Sequence, residues 1–474
     1  RKLGIFPRGI DREVVEVMHR THIGVDQEME NIMRQGSRTA LADGWGGSMI
    51  GTELQDIMFG TPTPVQAKIN LGVLSEDQVN IIVHGHEPLL SEMILLASQD
   101  GSLLKRAEEK GAKGINIAGI CCTANEILSR HGIPVAGNVL QQELAIMTGA
   151  IDAMVVDVQC IYQAIGELSK CFHTKVITTS PKGRMPLAEH IEFHEETGLS
   201  SAKKIVEMAI DNFPNRGKVD IPDVTSDFIA GYDHEYINYM LGGKFRASYR
   251  PLNDGIIDGR IRGVVGVVGC NNPRVAHDAV HVRVVSELVA NGCLVVMTGC
   301  AAQAVAKTGL MTPEIAYKEG VMPQGLREIC EAVGIPPVLH VGSCVDNSRI
   351  LVALTAMVNE GGLGDDISDL PAVGCAPEWM SEKAISIGQY FVASGAAVVF
   401  GTTWPTTGSS ELTDYLFEGM FEQYGNSWHY EPDPDKMVGK LLSLIDMKRD
   451  ALGILGKRER VLYDMAMRRE LSIE

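Results

Sequence analysis

The 474-residue sequence lacks several features that mark common classes of protein. Its 42 lysines and arginines are outnumbered by 60 aspartates and glutamates, which gives a formal charge of −18. Nucleic-acid binding needs a concentrated basic face, so this balance argues against a nucleic-acid partner. No apolar run reaches the roughly 18 to 20 residues of a membrane-spanning helix. We therefore predict no nucleic-acid partner and no membrane span.

The sequence also lacks a secretory signal and any Cys-x-x-Cys pair. Ten cysteines without a secretory signal are poor evidence for a disulfide framework, so we expect a cytoplasmic location. The missing Cys-x-x-Cys spacing argues against a zinc ribbon or a ferredoxin-type cluster site. The chain opens at Arg1 without an initiator Met, and we expect the natural polypeptide to extend upstream.

Short apolar runs alternate with helical patterns along most of the chain. In 263–300, GVVGVVGC and CLVVMTGC flank an amphipathic helix that Gly292 ends. This alternation is typical of a parallel sheet with crossover helices, whose ligands bind beyond the carboxyl ends of the strands. We predict an α/β fold with two Rossmann-like parallel-sheet domains, 73–222 and 223–474. The remainder of a helical domain precedes them over 1–72, and the first sheet strand is placed at Val79.

Candidate metal ligands share one position in this pattern, the point where an apolar strand ends. They are His86, Cys122, Cys160, Cys270, Cys300 and Cys344. Thr123 and Glu126 match a capping box, which places Cys122 just before a helix N-terminus, where the pKa of a thiol falls. Cys121 shares this position as the neighbour of Cys122. The other cysteines are interpreted as packing residues: Cys171, Cys293, Cys330 and Cys375.

The number of sulfur ligands in this set indicates the kind of metal centre. Five thiolates exceed the four ligands of a zinc ion or of an ordinary four-iron cluster. The ligands spread over about 260 residues, so the site needs both α/β units. The set predicts an iron–sulfur cluster larger than a cubane, buried between two sheets. Thiolates suit soft metals, and the imidazole would bind a distinct one.

Longer segments around these residues resemble the catalytic subunit of anaerobic nickel–iron carbon monoxide dehydrogenase. They are VHGHEP, GINIAGICCTANEILSRHGIP, DVQC, GVVGCNNPRV, TGCAA, LHVGSCVDNSR and APEWMSEKAISIGQ, in order over essentially the whole chain. The resemblance is nearest to the form that partners acetyl-CoA synthase. It implies reversible oxidation of CO with water to CO2, protons and electrons at a nickel–iron–sulfur cluster, in a homodimer.

The resemblance also implies roles for single residues. His86 and Cys122 would hold a pendant iron, Cys344 the nickel, and Cys160, Cys270 and Cys300 the remaining irons, with Cys121 beside the cluster. Lys383 would donate a hydrogen bond or a proton to a substrate oxygen. Ile387 would shape the apolar pocket for CO, and Asp43 would orient the lysine or relay protons.

One part of the family pattern is missing from these residues. The family's cysteine-rich N-terminal region carries additional [4Fe–4S] clusters and has no counterpart here. We expect those clusters upstream, together with the electron route to a ferredoxin-type acceptor. The resemblance leaves an acetyl-CoA synthase subunit as a further partner.

Three alternatives stay open at this point. A hybrid-cluster-type oxidoreductase shares the architecture but uses carboxylate cluster ligands, and the combination of HGH with SEKAISIG argues against it. A non-enzymatic iron–sulfur protein would contain no nickel. The third alternative is an α/β fold whose cysteines are simply buried.

Overall fold

The computed structural model describes residues 2–242, 247–404 and 406–455, and its centre is a 14-stranded sheet. The strands are β1 (Val65–Ile69), β2 (Val79–His84), β3 (Ile115–Ile120), β4 (Val135–Gly137), β5 (Ile151–Val156), β6 (Lys175–Thr178), β7 (Glu189–His190), β8 (Ser226–Ala230), β9 (Gly263–Val267), β10 (Cys293–Met297), β11 (Val338–His340), β12 (Ala372–Ala376), β13 (Val398–Phe400) and β14 (Trp428–Tyr430). This mixed α/β architecture confirms the predicted fold class.

Helices connect the strands and cover the sheet. In the described residues they are α1 (Ile10–Arg20), α2 (Met29–Ala42), α3 (Met49–Phe59), α4 (Pro88–Ser98), α5 (Gly101–Glu109), α6 (Cys121–Thr123), α7 (Gln142–Met147), α8 (Ala164–Leu168), α9 (Gly198–Asn212), α10 (His234–Gly242), α11 (Arg250–Ile257), α12 (Ala279–Ala290), α13 (Gly299–Ala306), α14 (Gln324–Val333), α15 (Asn347–Glu360), α16 (Glu382–Ala393), α17 (Ser410–Asp414), α18 (Met420–Tyr424) and α19 (Pro434–Ala451). Wider π-helical turns occur at Asp43–Ser48, Ala124–Leu128 and Tyr415–Gly419. No helix of the described ranges combines the length and the apolar character that crossing a membrane requires.

The strand order is β14-β13-β12-β9-β10-β11-β8-β1-β4-β3-β2-β5-β6-β7. Among the described strands, β1 and β8 form the single antiparallel pair, and all other neighbours are parallel. That pair joins the two halves of the sheet, from Val65 opposite Ala230 to Ile69 opposite Ser226. The domain division at 73 and 223 stays a prediction.

The first sheet strand is β1, so the expectation that the sheet begins at Val79 is wrong. Helices α1 to α3 do fill most of the preceding residues, as predicted. Helix α3 ends at Phe59, before the prolines of TPTPVQ, but the chain then enters a strand in which exposed Gln66 and Lys68 alternate with buried Ala67 and Ile69. A short strand at a junction depends on its partners β4 and β8, which a local pattern does not reveal.

The central strands are buried on both faces, which is why they are continuous apolar runs. All residues of β2 are buried, and they alternate between two cores. Ile81 packs in the core that includes Leu90 of α4, and Ile82 packs on the other face with Met154 of β5. Burial of each such side chain contributes about 1.5–3 kcal/mol to stability.

The register brings the carboxyl ends of neighbouring strands level with one another. His84 of β2 lies opposite Ile120 of β3, and Met297 of β10 lies opposite Val267 of β9. Loops that follow level parallel strands leave the sheet at one edge. The candidate ligands follow these strands directly, so the fold delivers them to a common edge.

The α2–α3 stretch closes over this edge. Its π-helical turn packs against α16, and an added Cβ at Gly44 would lie only 2.3 Å from the ring of Tyr390. This close approach needs glycine. It brings Asp43, at the start of the turn, to the cavity beside the predicted ligands.

Candidate active site

The predicted ligands meet at the edge of the sheet, although they come from loops in both halves. The sulfur of Cys344 lies close to Gly299, the residue before Cys300, where an added Cβ would be 2.6 Å from it. The backbone N–H of Cys344 donates to the Cys122 sulfur at 3.5 Å. Ligand atoms of His86 and Cys160 lie within 4.8 Å of one another and of the Cys121 sulfur. The structure therefore gathers residues from the loops after five strands, β2, β3, β5, β10 and β11.

Cys121 is a full member of this group of sulfur atoms. Its Sγ is 3.8 Å from the Cys300 sulfur, which links the two sheet halves. Its φ of 65° is left-handed, as are those of Gln159 (63°) and Cys160 (60°). Non-glycine residues hold this conformation only where their surroundings impose it, and such strain clusters at functional sites. Here it turns the two cysteine loops toward each other.

Cys270 completes the set from the second half of the sheet. It is 6% exposed, and burial raises the pKa of its thiol, as does the nearby charge of Cys300. Its Sγ is 3.6 Å from the hydroxyl of Ser381. Its carbonyl accepts a 2.7 Å hydrogen bond from Nε2 of the buried His281. Cys270 is thus fixed at both its backbone and its sulfur.

A backbone carbonyl next to Nδ1 orients the imidazole ring of His86. Its Nδ1 is 3.0 Å from the Val158 carbonyl, and since a carbonyl can only accept, Nδ1 carries the proton. Nε2 is therefore the ring nitrogen left for a metal, and it lies 3.0 Å from Lys383 Nζ. Burial lowers the pKa of His86, but the charge on Cys122 outweighs it and raises the pKa to about 10. A carbonyl behind Nδ1 with a free Nε2 is the arrangement of metal-binding histidines.

The thiols divide into donors and acceptors. Hydrogen bonds from Cys121 lower the pKa of Cys122, and they lower that of Cys160 to about 4. Donation to Cys122 raises the pKa of Cys121 and that of Cys344. Burial lowers the pKa of Lys383, but the thiolate charges outweigh it and raise the pKa above its usual range. Thiolates with one imidazole lone pair are soft and borderline donors, so the residues fit an iron–sulfur centre with nickel.

A cavity of about 400 Å³ opens beside these groups. Lys383 and Ile387 reach it from successive turns of α16, as the resemblance implied. Asp43 also lines it, and its carboxylate accepts a 3.1 Å hydrogen bond from Ser386 rather than from Lys383. The two roles expected for Asp43, orienting the lysine side and relaying protons, stay predictions.

The predicted capping box does not form. Helix α6 begins at Cys121, so Cys122 and Thr123 lie inside it. The Thr123 hydroxyl contacts Ser91, and Glu126 pairs with Arg130 at 3.0 Å. The side chains of Thr123 and Glu126 therefore bond to other side chains of the folded protein and not to the backbone of their own helix. Cys122 still lies in the first helical turn, where free N–H groups favour a thiolate.

Sequence reasoning missed several polar residues that line the cavity. Glu126 is buried, and burial followed by the charge of Asp346 raises its pKa well above the usual range. Tyr390 donates to the side-chain oxygen of Asn347, three residues after Cys344. Because Asn347 lies close in sequence to the predicted ligand Cys344, its place at the cavity could have been predicted. Tyr390 and Glu126 reach the cavity only through the tertiary packing.

The remaining cysteines lie outside this group. Burial raises the pKa of Cys293 and that of Cys330 to about 12, and the Cys375 sulfur contacts Met437 at 3.4 Å. These three are packing residues, as expected. Cys171 is exposed, so its interpretation as a packing residue is wrong. It lies in a short helical turn that directly follows α8, where the helical pattern alone could not separate the buried from the exposed face.

Comparisons with known proteins place this arrangement in a family. The model of the Prismane/CO dehydrogenase family matches residues 1–435. Carbon monoxide dehydrogenase 1 of Methanosarcina mazei is 56% identical over 454 residues, 95% of this chain and 71% of the relative. The carbon monoxide dehydrogenase/acetyl-CoA synthase subunit beta of Moorella thermoacetica is 40% identical over 467 residues, 96% and 68% of the two chains.

Solved structures agree with these sequence matches. A Ni-free carbon monoxide dehydrogenase from Thermococcus sp. AM4 superposes with a TM-score of 0.91 at 51% identity, covering 96% of this chain and 71% of that one. An acetyl-CoA synthase/carbon monoxide dehydrogenase structure has the same TM-score at 40% identity, covering 96% and 68%. Together with the sheet-edge cysteines and histidine, these matches show that the chain belongs to the Prismane/CO dehydrogenase family.

Proposed function

We propose that this chain oxidises carbon monoxide with water, reversibly, to carbon dioxide, two protons and two electrons at a nickel–iron–sulfur cluster. The observation that carries the proposal is the convergence of the six predicted ligands beside a cavity that Lys383 and Ile387 line. The matched relatives are carbon monoxide dehydrogenases, so the enzyme is an oxidoreductase of this kind.

The ligand roles follow the resemblance. His86 and Cys122 would hold a pendant iron, Cys344 the nickel, and the other three cysteines the remaining irons. When bound, such a cluster supplies the positions at which CO and water react and takes up the two electrons. The hydrogen bond of His86 Nδ1 to the Val158 carbonyl, which leaves Nε2 for a metal, and the depressed pKa values of Cys122 and Cys160 support this assignment.

Lys383 has two states in this proposal. Its Nζ lies 3.0 Å from His86 Nε2 in the structure described here. With a metal on Nε2, that nitrogen would have no lone pair left for Lys383, whose ammonium would then be free to donate to an oxygen atom in the cavity. A donor placed where negative charge develops lowers the barrier of the reaction. Ile387, one turn further along α16, presents an apolar surface suited to CO.

The alternatives make different demands. A hybrid-cluster-type enzyme is disfavoured because the compared relatives carry the carbon monoxide dehydrogenase name at 31 to 56% identity. A non-enzymatic iron–sulfur protein has no need for a lysine beside the cavity, and nickel content separates it from the enzyme.

Partners and location extend the proposal. An acetyl-CoA synthase subunit is a candidate partner, since one relative is a subunit of a carbon monoxide dehydrogenase/acetyl-CoA synthase. We also propose a homodimer, a ferredoxin-type electron acceptor, additional [4Fe–4S] clusters and a cytoplasmic location.

The test is to purify the protein anaerobically, measure nickel and iron, and assay CO-dependent reduction of a viologen dye. We expect nickel together with iron, and dye reduction that depends on CO. Iron without nickel, and no CO-dependent reduction after nickel is supplied, would contradict the proposal and favour the electron-carrier alternative.

A further inference from the structure

Ser381 occupies an unusual place between a predicted cluster ligand and the helix that carries Lys383. Its hydroxyl is 3.6 Å from the sulfur of Cys270, within the range of a hydrogen bond to sulfur. The Ser381 hydroxyl therefore lies within hydrogen-bond distance of a predicted cluster ligand.

The hydroxyl is free for this contact because it does not cap its own helix. Ser381 is the N-cap residue of α16, with φ −103° and ψ 160°, yet its side chain makes no capping hydrogen bond. Serine at this position usually accepts from the N–H two or three residues later. Ser409, the N-cap of α17, does this with the N–H of Leu412 at 3.2 Å. Helix α16 therefore lacks a side-chain N-cap hydrogen bond, and the Ser381 hydroxyl contacts the Cys270 sulfur instead.

The direction of the hydrogen bond follows from the state of the sulfur. A metal-bound cysteine has lost its proton and can only accept, so Ser381 must donate. A hydrogen bond to a charged acceptor is among the stronger kinds in proteins.

The loops that carry the two residues are held together independently of this contact. The side-chain amide of Asn272 donates to the Trp379 carbonyl at 2.9 Å. The buried Glu378 accepts from the N–H groups of Val280 and His281 at 3.0 and 3.2 Å. Segments 270–281 and 376–381 are thus cross-linked, and the distance between Ser381 and Cys270 is fixed by the fold.

We propose that Ser381 is a positioning residue that donates a hydrogen bond to the Cys270 sulfur and raises the reduction potential of the cluster that Cys270 holds. The inference rests on the proposed function, because it needs Cys270 as a ligand. Reduction adds negative charge that is shared by the sulfur ligands, and a hydrogen-bond donor stabilises that charge. Removal of the donor therefore lowers the potential, which fixes the sign of the effect.

The test compares S381A with S381T, which keeps the hydroxyl, and with S409A, which removes the N-cap serine of a different helix, α17. Each holoprotein is analysed for nickel and iron and titrated with reductant while the cluster is followed by electron paramagnetic resonance. In S381A we expect a roughly tenfold fall in the ratio of reduced to oxidised cluster at a given potential, a midpoint about 59 mV lower for a one-electron step. S381T and S409A should keep the wild-type midpoint.

An unchanged or raised midpoint in metal-loaded S381A would overturn the inference. If S381A binds too little nickel and iron to be titrated, the S381T variant tests the inference instead. A wild-type midpoint potential and metal content in S381T support the donor role. A lowered midpoint potential in S381T, which keeps the hydroxyl, overturns it. Wild-type protein without a nickel-containing, redox-active cluster would instead contradict the proposed function itself. The two failures are therefore distinguishable.

Discussion

Replacement of Lys383 by alanine is the sharpest test of the proposed chemistry. The side chain is half-buried, and its ammonium lies 3.0 Å from His86 Nε2 at the edge of the cavity. The substitution removes a positive group whose pKa the surrounding thiolates raise. It leaves all six predicted metal ligands in place.

The expected loss can be bounded from general acid catalysis and from the cavity. Removal of a positioned acid typically costs about 10²–10⁴-fold in rate. At about 1.36 kcal/mol per factor of ten, this is about 2.7 to 5.4 kcal/mol of barrier. The cavity of about 400 Å³ can hold water, which would partly replace the lost donor. We therefore expect a loss in the lower part of the range, about 10²–10³-fold.

The assay is CO-dependent dye reduction under anaerobic conditions, with nickel and iron measured on the same samples. Lys105→Ala, an exposed lysine on α5, is the matched control and should be unchanged. Lys383→Arg keeps a positive donor and should retain more activity than Lys383→Ala. Full metal content with activity within about twofold of wild type would remove Lys383 from the mechanism. Loss of metal in Lys383→Ala would assign it to cluster assembly instead.

Three further predictions address the ligands, the N-terminal helices and the packing over the site. Cys344→Ala should lower nickel occupancy and abolish CO oxidation, whereas the exposed Cys171→Ala should do neither; equal metal loss in both would refute the sorting of the cysteines. Hydrogen bonds from Arg8 lower the pKa of Glu13 from 4.5 to about 2, so the stability it contributes is complete above pH 4.5 and is lost as the pH falls toward 2. Urea unfolding across this range should show a weaker pH dependence in Glu13→Gln, and identical slopes would contradict the assignment. Gly44→Ala would place a Cβ 2.3 Å from an aromatic ring of α16 and should cost about 1–3 kcal/mol in the same measurement, while a neutral effect would show that the ring can move.

The ligand set was accessible from the sequence because each member follows a local signal. Apolar runs such as INIAGI and GVVGV are long enough to mark buried parallel strands, and the residue after each run is then placed at the sheet edge. The structure puts Cys122 and Cys270 after these strands, as expected. The parallel register then brings the residues after different strands together, since the carboxyl ends of β9 and β10 are level.

The pairing that joins the two halves of the sheet could not be predicted from the sequence. The antiparallel pair of β1 and β8 joins residues about 160 positions apart, and neither strand is a continuous apolar run. The misassigned capping box has the same origin. Thr123 and Glu126 carry the right local spacing, but Ser91 and Arg130 compete for their side chains in the folded chain. Nonlocal partners decide both cases.

The division of the ligands between the halves bears on how the site is built. Loops after β2, β3 and β5 supply His86, Cys122 and Cys160, and loops after β9, β10 and β11 supply the others. The halves are joined at the site by protein contacts, since Gln303 of α13 donates to the carbonyl of the strained Cys121 at 2.9 Å. His86 is likewise oriented by a backbone carbonyl. Because these contacts involve no metal, folding itself fixes much of the ligand geometry, and metal insertion has less conformational entropy to overcome.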